Sequence, residues 1–329
     1  MKVTIAVIAM DRKEFILKAL ESIKSNENCK KICKIIVIKN FVDEKIDKSI
    51  SKIASLNFYS NKFGLGQKIA EHIEFVDEDE MIAFLEDDDL FFEEKINRII
   101  EVLTGNVNTY FYHNAFISID LNGNYLPIYK NNIKNCRNLN YSTESKQIFQ
   151  VISNGGAHNL SSMVIRCSLI KTYVTLIREI NYTLDHVLFL LSLESGHNMY
   201  FDNKFLTKYR IHNNNSRPSL LENDYLGIKS RIIQNAKKEL NYVRDVLQHP
   251  TSLRIAEYFI QEIRIHEWFV SSNQTPILSW RDLLSIAIIL VHNRKSMLFL
   301  FIIVIAIGKL FRFNNKIKGK IYKIGASAF

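Results

Sequence analysis

Apolar positions along this chain recur with two periods, and the periods alternate. Residues 3–9, 34–39, 56–59 and 81–85 are apolar runs of strand length, whereas 13–25, 44–54, 67–75 and 92–103 space their apolar residues by three and four, as helices do. Strand and helix in alternation predict an α/β fold whose doubly wound, mostly parallel sheet is flanked by helices and wound by right-handed crossovers. A strand over 109–119, then Asn122-Gly123 before 125–129, predicts a hairpin that makes the sheet mixed. The Asn-, Ser- and Lys-rich stretch 131–146 predicts a mobile loop over one sheet edge, of a kind that serves as a lid. A short helix around Gln147, a strand over 159–166, helices over 169–180 and 184–194, and a strand over 205–211 follow. From 220 to 269 apolar residues such as Ile228, Ile232, Leu240 and Val243 mark packing helices. The chain is thus expected to comprise an α/β unit over 1–217, a helical region over 218–280 and a tail over 281–329.

The tail changes the picture of charge. The formal net charge of +9 predicts a surface that attracts anions, but it is uneven. After Leu290 come Arg294, Lys295, Lys309, Arg312, Lys316, Lys318, Lys320 and Lys323 with no acid among them, and they bracket the apolar run 297–307. Basic flanks around an apolar run point to a membrane surface with anionic lipid, not to nucleic acid. The apolar stretches 281–291 and 297–311 are parted by His292-Asn293-Arg294-Lys295. Each is shorter than the ~20 residues of a spanning helix. Two shallow helices lying in the interface are therefore expected, with one tilted span from Met297 as the alternative. Cys29, Cys33, Cys136 and Cys167 have no metal-binding or redox spacing and read as reduced thiols of a cytosol-facing protein. The first apolar stretch is too short, and Asp11-Arg12-Lys13 too charged, for a signal peptide.

Chemistry concentrates at 81–90, where an apolar run ends in Glu86, Asp87, Asp88 and Asp89. Ligands of an open α/β sheet collect beyond the carboxyl ends of its strands. Repelling carboxylates gathered there call for a cation, and hard oxygens suit Mg²⁺ or Mn²⁺ completed by substrate phosphates and water. The bland reading is a solvated acidic turn with Asp89 capping the next helix. Gly64-Leu65-Gly66 fails as a dinucleotide fingerprint because its third glycine would fall at Ile69. Gly155-Gly156 leaves backbone amides open to a ligand, or is simply a tight turn.

With five further segments the acids resemble the family 2 glycosyltransferases of the GT-A fold. Residues 5–12 resemble the opening strand and nucleotide loop, with Met10-Asp11-Arg12 in place of Tyr-Asn-Arg. Residues 35–40 are similar to the strand before the nucleobase acids, of which Asn40 remains, and 61–68 resemble the Asn-x-Gly-x-x-x-Ala-Arg region with Lys68 for arginine. The metal motif falls on Glu86, Asp87 and Asp88, which makes Asp88 the direct ligand. Residues 183–190 resemble the acceptor-side helix that carries the catalytic base, with Leu184 in place of the first acid and Asp185 as the base. Asp185 reads equally as an N-cap of that helix. Residues 208–216 resemble the Tyr-Arg-x-His-x-x-Asn-x-Ser ending, which places Arg210 near the diphosphate and gives His212 to the metal; a lone His after a strand is otherwise structural.

The resemblance implies donor contacts at Ala9, Asp11, Arg12, Asn40, Lys68, Glu86 and Asp87, and an acceptor or diphosphate region at Gly155, Gly156 and Arg210. It also implies a divalent cation, a nucleotide-sugar donor and inversion by direct displacement, with the metal neutralising the departing diphosphate. An enclosed carboxylate can take the proton that an acceptor hydroxyl loses. Joined to the tail, this predicts sugar transfer to a lipid-linked or membrane-held glycan at the cytoplasmic face of the cell membrane, by a peripheral or monotopic protein. The alternatives are a nucleotidyltransferase on a related scaffold and a glycan-binding protein without catalysis.

Overall fold

A computed structural model of the chain describes residues 2–10, 12–26, 32–62, 64–130, 133, 135–212 and 225–270. Two compact units emerge, 1–143 with 154–211, and 144–153 with 212–329. In the first, β1 (Val3–Ala9), β2 (Ile32–Lys39), β3 (Leu56–Tyr59) and β4 (Met81–Glu86) lie parallel in the order β3-β2-β1-β4. Their crossovers carry α1 (Lys13–Lys24), α2 (Glu44–Ile50) and α3 (Leu65–His72). All seven residues of β1 are buried, because both neighbours and both faces are covered. Ile16, Ala19, Leu20 and Ile23 lie on one face of α1 and pack on Val3, Ile5 and Val7. Each large aliphatic side chain so buried contributes roughly 1.5–3 kcal/mol.

The sheet then turns mixed. Beyond β4 the order continues through β9 (Met163–Arg166), β6 (Thr109–Ile119), β10 (Asn198–Arg210) and β5 (Leu90–Phe91), with β7 (Tyr125–Lys130) on β6 and β8 (Arg137–Leu139) on β10. β9 runs antiparallel to both its neighbours and pairs only with Met81–Ala83 of β4. The carboxyl end of β4 is therefore not laddered on that side, and the turn Leu160–Ser162 contacts it instead.

Several expectations change. The stretch expected as a mobile lid contains β8, whose backbone pairs with Met199–Phe201. Residues 131, 132 and 134 lie outside the described residues. The helix expected from Phe92 is α4 (Lys95–Gly105), because Leu90 and Phe91 pair with Lys208 and Thr207. Asp89 thus caps no helix. The strand expected over 159–166 is only Met163–Arg166, since Asn159 adopts a left-handed backbone at φ 70°. Helices α6 (Cys167–Thr172), α7 (Val174–Arg178) and α8 (Leu184–Glu194) complete the unit. Gly66 belongs to packing: a Cβ there would sit 2.0 Å from the Ile177 carbonyl of α7, and its N–H donates to the Ile180 carbonyl at 3.0 Å.

The second unit holds α5 (Ser145–Ser153), α9 (Tyr225–Val246) and α10 (Pro250–Val270). Leu240, Val243, Ile255 and Phe259 are buried, and Phe149 meets Tyr258 edge-on at 5.2 Å. The tail 281–329 lies outside the described residues, among which no helix is long and apolar enough to cross a membrane.

Candidate active site

Glu86 ends β4, and the three aspartates turn back over the carboxyl end of β1. Backbone bonds fix that turn: Asp87 N–H donates to the Ile8 carbonyl at 3.1 Å and Asp89 N–H to the Glu86 carbonyl at 3.1 Å. Met10 N–H donates to Asp87 Oδ2 at 3.0 Å, so the backbone just past Ala9 holds the first acid. Arg12 spans that aspartate and the next, with Nη2 2.6 Å from Asp87 Oδ1 and Nη1 on Asp88 Oδ2. Asp89 faces inward. Its Oδ1 accepts from Arg210 N–H at 2.8 Å, and its Oδ2 is buried near Ser161 with no hydrogen bond of good geometry among the described residues.

Four carboxylates crowd this turn, and Arg12 pairs directly with two of them. Burial, with Asp88 adding to it against Arg12, pushes Asp87 up to about 7. Burial and Asp88 push Asp89 up to about 8. Glu86 keeps partial contact with solvent, yet its packed surroundings, with Asp88 and Asp89, push it well above the usual carboxylate range. For Arg12, burial disfavours the charge and the acids more than offset it, so its pKa is raised. This donor set fits a divalent cation: hard oxygens, surplus negative charge and an orphaned buried oxygen. The acids do not converge three oxygens on one point, so the fit is to a cation held through one or two carboxylates and completed from outside.

Arg210 is 1% exposed and braces the loop from beneath. Its Nε donates to the Asp88 carbonyl at 2.7 Å and its Nη1 to the carbonyls of Asp120 and Leu121 at 2.8 and 2.9 Å. Lys95 is also buried; Nζ donates to the Ser161 carbonyl at 2.5 Å and to Thr207 Oγ1 at 2.8 Å. Burial holds its pKa well below that of an ordinary lysine, against the pull of Asp89.

Asp185 stands in the first turn of α8, whose N-cap is Thr183; Asp185 is not the cap. Its Oδ1 accepts from His186 N–H at 2.9 Å and pairs with His186 Nδ1 at 3.1 Å, while Oδ2 accepts from Asn159 N–H at 3.2 Å. Burial alone would raise its pKa, but His186 and His158 reverse the balance and hold it below the usual range. His158, Asp185 and His186 bring one donor atom each within 4.8 Å of one another, a convergence that no other trio achieves among the described residues.

One strap of chain joins the two groups. Asn159 N–H holds Asp185, Asn159 Oδ1 accepts from Ser161 N–H at 3.0 Å, and Ser161 Oγ accepts from Glu86 N–H at 3.0 Å. Sequence reasoning missed Asn159, Ser161, His158 and His186; only the adjacency of Asp185 and His186 could have flagged one of them. Gly155, at φ 85°, makes the turn whose carbonyl accepts from His158 N–H at 3.1 Å, and Gly156 follows it. Lys68 is buried with Nζ on the Ser60 carbonyl at 3.2 Å, and Asn40 follows β2. Lys39, where the resemblance expects an acid, pairs with Asp47 at 2.9 Å. Asp11 lies outside the described residues, and His212 belongs to the second unit.

No known protein family matches the sequence, and no curated protein does. Solved structures share the fold. S. aureus TarS 1-349 in complex with UDP-GlcNAc is 11% identical, with a TM-score of 0.57 over 99% of this chain and 92% of that one. The same protein in complex with UDP gives the same identity and score, 11% and 0.57. The mannosyltransferase PcManGT from Pyrobaculum calidifontis, in complex with GDP-Man and Mn²⁺, is 9% identical, with a TM-score of 0.52 over 94% of this chain and 87% of that one. The chain has the GT-A fold.

Proposed function

We propose that this protein is a metal-dependent, inverting glycosyltransferase that passes a sugar from a nucleotide-sugar donor to a lipid-linked or membrane-held glycan at the cytoplasmic face of the cell membrane. The observation that carries the reading is the acid loop, stitched by Ile8 and Met10 to the end of β1, on a fold shared with proteins solved with UDP-GlcNAc and GDP-Man. Mg²⁺ or Mn²⁺ held through Asp88, beside Asp87 and Glu86, would supply the positive charge that a departing nucleoside diphosphate needs. Arg12 already lies across Asp87 and Asp88 and is within reach of the same phosphates.

Asp185 is the proposed base. Its lowered pKa keeps it ionised, and the Asn159 amide orients Oδ2. The acceptor hydroxyl gives its proton to that oxygen as its own oxygen attacks the anomeric carbon; the bond to the diphosphate breaks on the opposite face, which inverts the centre. The strap 159–161 holds base and acid loop in fixed relation.

The test is turnover by the full chain of a panel of nucleoside diphosphate sugars with Mn²⁺ and membrane lipid extract. Release of nucleoside diphosphate that stops with chelator is expected. No release from any donor, or pyrophosphate release from nucleoside triphosphates instead, would overturn the reading. The tail supports the membrane part through its acid-free basic flanks. Removing residues 281–329 should leave a protein that no longer sediments with membranes, and a truncated form still bound would refute tail attachment.

A further inference from the structure

We infer that His158, Asp185 and His186 form a second metal site, selective for a borderline transition ion such as Zn²⁺ or Co²⁺ over Mg²⁺. Two imidazole nitrogens and one carboxylate oxygen lie within 4.8 Å of one another. The imidazole rings stand edge to face with centroids 4.7 Å apart. Donors around a tetrahedral ion at about 2.0–2.1 Å sit ~3.4 Å apart, so the trio has at most about 1.4 Å to close, within reach of side-chain rotation.

The chain prepares this arrangement from two sides. His186 and Asp185 are fixed by the first turn of α8. His158 is fixed through its backbone: its N–H on the Gly155 carbonyl at 3.1 Å, and its carbonyl 2.8 Å from Nε2 of the fully buried His113. Anchoring by main chain fixes where the His158 imidazole stands, with a ring nitrogen within 4.8 Å of the other two donors. Asp185 and His186 side chains are 24% and 21% exposed, enough for an ion to enter and for water to fill the open positions. The donor chemistry separates the two sites. Imidazole nitrogens suit zinc and its neighbours, whereas an all-oxygen set suits Mg²⁺, and the acid loop offers only oxygens. An ion on Asp185 would hold the carboxylate assigned above as base, so on the proposed function this site makes transfer sensitive to zinc.

The experiment uses the full chain, stripped of metal, and reads binding without any sugar donor. Co²⁺ is titrated while its visible d–d bands are recorded, and Zn²⁺ affinity is taken by competition with a chromophoric chelator in excess Mg²⁺. In excess Mg²⁺, present to compete at the acid loop, one saturable equivalent with nitrogen-ligated bands is expected, and Asp88→Asn leaves it unchanged. His158→Gln and His186→Gln should each weaken it at least tenfold while keeping the far-UV spectrum and melting behaviour of the metal-free parent. In the same excess Mg²⁺, Zn²⁺ should raise the melting temperature of the parent by more than that of either variant. Absence of a saturable Co²⁺ or Zn²⁺ site, or a site untouched by both histidine variants, would overturn the inference. A chain that binds zinc here yet turns over no nucleotide sugar would refute the proposed function and leave this site standing.

Discussion

The acid loop and Asp185 both hold carboxylates within folded protein, yet those carboxylates titrate in opposite directions. Burial and mutual repulsion lift Asp87 to about 7 and Asp89 to about 8, whereas the imidazoles of His186 and His158 overcome burial and hold Asp185 down. The difference lies in the local count of charges. Four acids crowd the loop, where Arg12 pairs with two of them and Arg210 and Lys95 lie beside Asp89; at α8 one acid faces two histidines. The loop carries surplus negative charge and is suited to hold a metal, while Asp185 is kept ionised, the state in which a carboxylate can accept a proton.

The contrast is broken most forcefully at Asp88 and Asp185. Asp88→Ala is expected to abolish transfer and to remove the metal-dependent part of nucleoside diphosphate binding; calorimetry showing equal metal-dependent binding by variant and parent would contradict the role of this carboxylate. Asp185→Asn should keep donor binding while kcat falls about 10²–10⁴-fold, the range for loss of a positioned base. Near-parental turnover would mean that another group takes the proton.

Next comes the strap. Ser161→Ala removes the acceptor for Glu86 N–H and should cost about 1–3 kcal/mol of stability by denaturant unfolding. Transfer should fall further than donor affinity, since the base and the acid loop would lose their shared tether. An unchanged ratio of kcat to donor affinity would show that Ser161 is only structural.

The smallest effect concerns pH. Unfolded aspartates release their protons near 3.9, whereas folded Asp87 and Asp89 keep theirs to about 7 and about 8, so the folded state binds more protons in between. Their contribution to the stability of the metal-free protein is therefore full below about pH 4 and lost as pH rises through 7 and 8. Melting in chelator should occur at lower temperature at about pH 8.5 than at about pH 6, and Mn²⁺ should restore it at the higher pH. A profile flat with pH in chelator would mean that the loop carries no uncompensated charge.

Much of the scaffold was legible. β1, β3 and β6 begin and end where their apolar runs do, and the acids stand at the carboxyl end of a central strand as their position in the sequence suggests. What stayed hidden depends on contacts distant in sequence. Ser161 meets Glu86 across 75 positions, and Asn159 holds Asp185 across 26. Neither pairing leaves a periodic trace, and the left-handed backbone of Asn159 broke a run that reads as a strand. β5 is only two residues long, too short for any period, and it displaced the expected helix start. Nothing in the sequence sets Lys95 and Lys39 apart from surface lysines; both are buried, each satisfied by carbonyl and side-chain oxygens of its own neighbourhood. His158 and His186 were passed over because only folding brings them to one point.

The most direct measurement is calorimetric titration of the metal-free full chain with UDP-GlcNAc and GDP-Man, with and without Mn²⁺, for the parent and for Asp88→Asn. The account predicts that the parent binds at least one of these donors, that Mn²⁺ tightens the binding at least tenfold, and that Asp88→Asn erases the Mn²⁺ increment. Failure to bind either donor, or binding that Mn²⁺ does not alter in the parent, would contradict it.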